Sequence, residues 1–231
     1  MTSKEELNNL LIAGLVNDIF KMERAYFCIK EITAKGSDID KHSSFTELFQ
    51  SIQNSLLTEA IMAVARVYDE PSRKYPTLCI KNILDYIENN TNNLIPIIEK
   101  PNLKRHLYTI KAPDYLINYL NTNDDTLYTK MLVEYFKIIC FSGDNEGRIL
   151  KLKNIRDKRL AHNENNFLID TPTLSDLKEL IVNAQKIVGT IGWSYLSPAK
   201  LYMFEGKYLL SDDARRISLS LKKLLNIAVA E

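Results

Sequence analysis

Residues 7–29, LNNLLIAGLVNDIFKMERAYFCI, decide the reading of the fold. Leu7, Leu11, Leu15, Ile19, Met22, Tyr26 and Ile29 recur every three or four positions, the interval at which an α-helix returns to one face. Ser3 and Glu6 stand at capping-box spacing at the start of this run, so a long amphipathic helix is expected from Ser3. Gly36-Ser37-Asp38 breaks it. Ser44 with Glu47 then opens a second helix with Phe49, Ile52, Leu56, Ala60, Ala63 and Val67 on one stripe, closed by Pro71 and Pro76.

The rest of the chain extends the pattern. A shorter helix is expected over residues 77–88, then an Asn-rich loop over 89–93, because Asn side chains compete for helical backbone hydrogen bonds. Pro96, Pro101 and Pro113 fragment residues 94–123 into short helical pieces. Residues 124–141 read as a helix through Leu132, Phe136 and Ile139. Residues 142–147 interrupt it before a short basic helix runs to about His162. After an extended or irregular stretch over 163–172, Thr173 and Asp176 open a helix lined by Leu177, Ile181, Ala184, Val188 and Ile191, with Gly192 weakening its end. Residues 201–210 permit a small hairpin around Glu205-Gly206. Ser211 caps a last helix with Ile217, Leu221, Leu224 and Ala228 inward. No repeat of fixed period and no long low-complexity segment occurs.

The fold class expected is therefore all-α. A bundle of long amphipathic helices spans residues 1–196, and residues 197–231 form a small C-terminal helical extension packing on it. Composition agrees: 231 residues bury a sizeable core, and 45% hydrophobic with 26% charged residues is an ordinary globular balance. The prolines fall between the periodic segments. Residues 1–11 lack the basic start and apolar run of a signal peptide, and no run of residues is apolar enough to span a bilayer, so a cytoplasmic protein with no membrane partner is expected. Cys28, Cys79 and Cys140 are widely spaced in apolar surroundings and read as buried free thiols rather than as disulfides or zinc ligands.

Several chemistries have no support. Walker and dinucleotide glycine spacings are missing, as are HExxH, CxxC and GxSxG, so no cofactor and no metal are expected. Attention falls on the three histidines. His42 and His106 lie in loop-like or broken segments and read as surface histidines. His162 closes a run in which Arg148, Lys151, Lys153, Arg156, Lys158 and Arg159 are opposed only by Asp157, a basic patch hidden within a net charge of +1. An imidazole exchanges a proton near neutral pH, and a guanidinium grips phosphate oxygens bidentately. In RNA the 2′-hydroxyl supplies the nucleophile, so a proton acceptor and a phosphate clamp suffice for phosphodiester cleavage. A basic helix end that complements the helix dipole explains the same residues without chemistry. On an ideal helix Arg156 and His162 lie about 240 degrees apart, whereas Arg159 shares a face with His162. Spacing alone leaves Arg156 and Arg159 as alternatives for the phosphate-facing arginine.

The run Arg156-Asp157-Lys158-Arg159-Leu160-Ala161-His162 resembles the motif of the HEPN superfamily, an Arg followed by a polar residue and, after a short spacer, a His. With Ala65-Arg66-Val67-Tyr68-Asp69 on an earlier helix it is similar to the AbiU-type abortive-infection branch, over roughly residues 3–196. The resemblance implies a HEPN-like helical bundle, frequent homodimerisation with the two motifs facing one another, and metal-independent endoribonuclease activity in toxin, phage-defence and CRISPR-linked settings. It implies RNA as substrate, with an antitoxin or other defence-system component as a further partner. It casts Arg156 as the holder of the scissile phosphate and His162 as the group that moves the proton. Asp157, Lys158, Arg159, Glu59, Arg66 and Asp69 are supporting candidates, and Arg148, Lys151 and Lys153 are candidates for RNA binding. Arg66 and Asp69 are explained equally by an ion pair within the bundle. The tyrosine that often follows the histidine in toxins paired with a nucleotidyltransferase is replaced here by Asn163, Glu164 and Asn165, so control through that tyrosine is not expected. The rival reading is a non-catalytic module that binds nucleotide, RNA or a partner protein.

Overall fold

Thr2, one residue before the expected cap, starts the first helix in a computed structural model of the chain, which describes residues 2–41, 43–71, 78–93, 97, 99–122, 124–161, 172–196, 202–204, 207–209 and 213–228. The Thr2 hydroxyl accepts from the Glu5 backbone N–H at 3.3 Å, and the Glu5 carboxylate accepts from the Thr2 backbone N–H at 2.8 Å. Both Thr2/Glu5 and Ser3/Glu6 have the required spacing, and the earlier pair closes the box.

The expected first helix is present but broken in register: α1 (Ser3–Leu10) passes through a π-helical turn (Leu11–Leu15) into α2 (Val16–Ala34). Gly14 lies in that turn against Leu78. A Cβ built on it would sit 2.4 Å from the Leu78 Cδ1 and 2.5 Å from its Cβ, so the close approach requires glycine. After the short α3 (Gly36–Ile39), α4 (Ser43–Val67) begins two residues earlier than a Ser44 cap would set it, placing Ser44 inside the helix. Next come α5 (Ile80–Asn89), α6 (Lys100–Thr109) and α7 (Asp114–Leu120), the last two being the short pieces expected over 94–123, with Pro101 in the first turn of α6 and Pro113 just before α7. Asp124 caps α8 (Asp125–Phe141) through the Leu127 N–H at 2.9 Å. The expected interruption over 142–147 shrinks to Ser142 and Gly143, whose φ of 59° turns the chain directly into α9 (Asp144–Asn154). A second π-helical segment (Ile155–Ala161) continues α9. Thr173 and Asp176 form the expected capping box of α10 (Leu174–Tyr195), which runs through Gly192. The hairpin is real: β1 (Tyr202–Phe204) pairs antiparallel with β2 (Lys207–Leu209), the one sheet among the described residues. The last helix is α11 (Asp213–Ala228).

The architecture is all-α, and α10 is its centre. It packs against α2, α4, α6 and α8, and from Ile187 to Gly192 every residue is buried. Tyr68, fully buried after α4, donates its hydroxyl proton to the Leu180 carbonyl at 2.6 Å, joining the end of α4 to α10. Along the first stripe Leu7, Leu11, Leu15, Ile19, Met22 and Ile29 are buried as expected, and Tyr26 is half-buried. In α11, by contrast, Ala214, Ser218 and Leu225 are the buried residues, while Ile217 and Leu224 are 40% and 54% exposed. Of the expected stripe Leu221 and Ala228 pack inward, whereas Ile217 and Leu224 face solvent and the neighbouring Ser218 and Leu225 are buried in their place. Leu225 closes a second apolar cluster with Ile32, Ile39 and Phe49.

His106 is a correction. It is buried rather than at the surface, because the end of α6 that carries it packs on α10, and its Nε2 lies 2.9 Å from the Thr190 hydroxyl. Burial pushes its pKa down to about 3. Cys28, Cys79 and Cys140 are buried free thiols. No described helix is long and apolar enough to cross a membrane, and no group of potential metal ligands occurs among the described residues.

Candidate functional site

The end of α4 and the end of α9 converge on one carboxylate, Asp69. Arg156, the first residue but one of the second π-helical segment, donates from Nη1 to the Asp69 Oδ2 at 3.1 Å and from Nε to the Asp157 Oδ1 at 2.6 Å. Lys153, on the preceding turn, sits 3.8 Å from the other Asp69 oxygen. The Arg156 side chain is 21% exposed, and the two carboxylates raise its already high pKa further, Asp157 through its hydrogen bond most strongly. The guanidinium is thus permanently cationic and aimed, with two of its five N–H donors satisfied among the described residues. A phosphate oxygen could take the others.

The π-helical bonding bears on the spacing problem. Its i→i+5 pattern stacks positions five apart, so Arg156 lies over Ala161 instead of over Leu160. The ideal-helix argument that favoured Arg159 does not hold in such a segment. The side chain of Arg159, together with His162 and His42, lies outside the described residues.

The other candidates divide. Arg66 does not pair with Asp69: its Nε and Nη2 grip both oxygens of Asp18 on α2, the shortest contact being 2.8 Å, and that hydrogen-bonded pair raises its pKa. This ion pair between α2 and α4 joins residues 48 positions apart, beyond what helical spacing could reveal. Glu59 is exposed on α4, about two turns before Arg66. Arg148 is held by Asp176 at 3.1 Å and by Asn145 at 2.8 Å. Lys151 and Lys158 each have an interaction partner. In sequence the basic run is opposed only by Asp157, but in the fold Asp69 and Asp176 also face it, 87 and 28 positions away from their partners.

Sequence reasoning passed over a buried acid. Glu23 on α2 is 1% exposed, accepts a hydrogen bond from the Gln185 amide of α10, and leaves its Oε2 without a partner among the described residues. Burial pushes its pKa up to about 7, against the opposing effect of the Gln185 bond. Its position on the buried side of α2, one residue after Met22, was the available signal.

In comparison with known protein families, the model of the family HEPN_AbiU2, described as AbiU2, matches residues 4–217. No curated protein and no solved structure matches the chain.

Proposed function

Because a match over residues 4–217 places this chain in the HEPN AbiU2 family, we propose that it is a metal-independent endoribonuclease of an abortive-infection or toxin-like phage-defence system, cleaving single-stranded RNA with Arg156 and His162. The observation that carries this reading is Arg156 itself, oriented by Asp69 and Asp157 on the π-helical segment Ile155–Ala161, after which His162 is the next residue in sequence. Arg156 holds the scissile phosphate and stabilises the charge that develops on it. His162 takes the 2′-hydroxyl proton, the 2′-oxygen attacks phosphorus to close a 2′,3′-cyclic phosphate, and the 5′-oxygen of the next nucleotide leaves with a proton taken from water. Lys153, Lys151 and Arg148 extend the cationic face toward the flanking backbone, each exchanging a protein partner for phosphate as RNA arrives. A two-fold homodimer with the motifs facing one another belongs to the same proposal, as does a regulatory antitoxin or defence partner. So does a cytoplasmic location, and so does the division into a bundle of residues 1–196 and an extension of 197–231.

One observation favours the rival reading. The two carboxylates at Arg156 neutralise much of its field, which suits a module that binds nucleotide, RNA or a partner without cleaving it. Cleavage of labelled single-stranded RNA in EDTA, by wild type and His162→Ala of equal oligomeric state, separates the two. Loss of roughly 10²–10⁴-fold in rate is expected for removal of a general acid–base group. Equal cleavage by both removes His162 from the reaction, whereas binding with no cleavage by either establishes the binding module instead.

A further inference from the structure

Beside the Asp69–Arg156 contact an open cleft of about 490 Å³ lies between α5, α8 and α9. Its floor is apolar, made by the half-buried Phe141 and the buried Tyr68 and Ile149. The Tyr68 and Phe141 rings meet edge to face, centroids 6.4 Å apart, and the hydroxyl bond to Leu180 fixes Tyr68 in place. Leu150 at the mouth is 59% exposed. The rim holds three lysines, Lys81, Lys137 and Lys153, one from each of α5, α8 and α9, and three carboxylates, Glu70, Asp85 and Glu146. Lys153 connects the cleft to the Arg156 cluster, since it faces the same Asp69 that orients Arg156.

Three lysines against three carboxylates leave no excess positive charge, so the cleft is not built as a second phosphate clamp. An apolar floor under a rim of both donors and acceptors suits a flat, uncharged ring whose edge carries both. We propose that this cleft is a nucleobase subsite that takes a guanine of the RNA next to the phosphate held by Arg156. That the ring belongs to RNA rests on the ribonuclease reading; the choice of base rests on the rim. Guanine presents two adjacent donors, N1–H and the 2-amino group, which one carboxylate accepts with both oxygens, and its O6 and N7 accept from a lysine. Adenine and cytosine offer an amino group beside a ring acceptor, and uracil an imino group between two carbonyls, so none of these satisfies both oxygens of one carboxylate. Glu146 is the carboxylate for this contact. It is exposed on the first turn of α9 and makes no ion pair or hydrogen bond among the described residues, whereas Glu70 pairs with Lys81. Lys81, freed from Glu70 when the base enters, donates to its acceptor edge.

The test is fluorescence anisotropy with labelled, uridine-rich single strands carrying 2′-O-methyl groups throughout, which removes the nucleophile and isolates binding. One strand holds a single guanosine, a second inosine in its place, and a third uridine. Wild type is expected to bind the guanosine strand roughly tenfold tighter than the uridine strand, with inosine, which lacks the 2-amino group, between them. Glu146→Gln is expected to abolish that preference while leaving affinity for the uridine strand within about twofold, and Lys81→Ala to reduce it; circular dichroism confirms that both variants fold. Equal affinity for guanosine and uridine strands, no binding of any strand, or a preference unchanged in both variants overturns the subsite. Cleavage of unmodified RNA tells the two proposals apart. Cleavage without guanine preference removes the subsite and keeps the ribonuclease, whereas guanine preference without cleavage does the reverse.

Discussion

Replacing Glu23 by Gln should stabilise the protein above pH 7 and change how its stability depends on pH. The Glu23 carboxyl is buried against α10 with a pKa of about 7, compared with an ordinary 4.5. A group whose pKa is raised on folding binds more protons in the folded chain than in the unfolded one between those two values. Stability therefore falls as pH rises from 4.5 to 7, in total by about 3 kcal/mol at ~1.4 kcal/mol per unit. His106 acts in the opposite direction. Its pKa is lowered from 6.5 to about 3, so the unfolded chain takes up a proton that the folded chain does not, and stability falls as pH drops below 6.5. Between pH 4.5 and 6.5 the two slopes cancel. Gln is nearly isosteric with the protonated acid and buries one unpartnered donor group just as the protonated acid does, so Glu23→Gln should match wild type near pH 4.5. At pH 8 it should exceed wild type by about 3 kcal/mol. It should also unmask the His106 slope, with stability rising by ~1.4 kcal/mol per unit up to pH 6.5. Urea unfolding followed by circular dichroism at half-unit steps from pH 4.5 to 8.5 reads both effects. A variant whose curve parallels that of wild type would refute the burial argument for Glu23, and a flat curve in the variant would refute it for His106.

Other substitutions probe the contacts that hold the site. Asp69→Asn removes the carboxylate shared by Arg156 and Lys153, and should lower the RNA cleavage rate by at least tenfold with folding intact; an unchanged rate would show that Asp157 alone suffices to aim Arg156. Tyr68→Phe removes the hydroxyl bond to the Leu180 carbonyl, which keeps its helical partner within α10, and should cost about 0.5–1.5 kcal/mol in urea unfolding. Gly14→Ala places a methyl group within 2.5 Å of the Leu78 Cβ, and should cost about 1–3 kcal/mol by overpacking, read as a drop in thermal midpoint. Asp18→Asn weakens the grip on Arg66, an ion pair whose arginine side chain is 40% exposed, and should cost no more than about 1 kcal/mol.

Helical periodicity in Leu7 to Ile29 and in Leu177 to Ile191, the proline positions and the Thr173–Asp176 box determined by themselves that the chain is a helical bundle, because a buried stripe and a cap are local properties of spacing. The motif from Arg156 to His162 was legible for the same reason: it is contiguous. Tertiary structure decided everything that depends on partners distant in sequence. Asp69, not Arg66, meets Arg156, and Arg66 turns instead to Asp18. His106 is buried because α10 covers it, and Glu23 acquires its raised pKa only between α2 and α10. The π-helical register of Ile155–Ala161 also escaped the sequence, since an ideal 3.6-residue period was assumed there. Spacing along a chain fixes which residues share a helix face. Which charge that face meets, and how dry the contact is, depends on the packing of helices tens of residues apart.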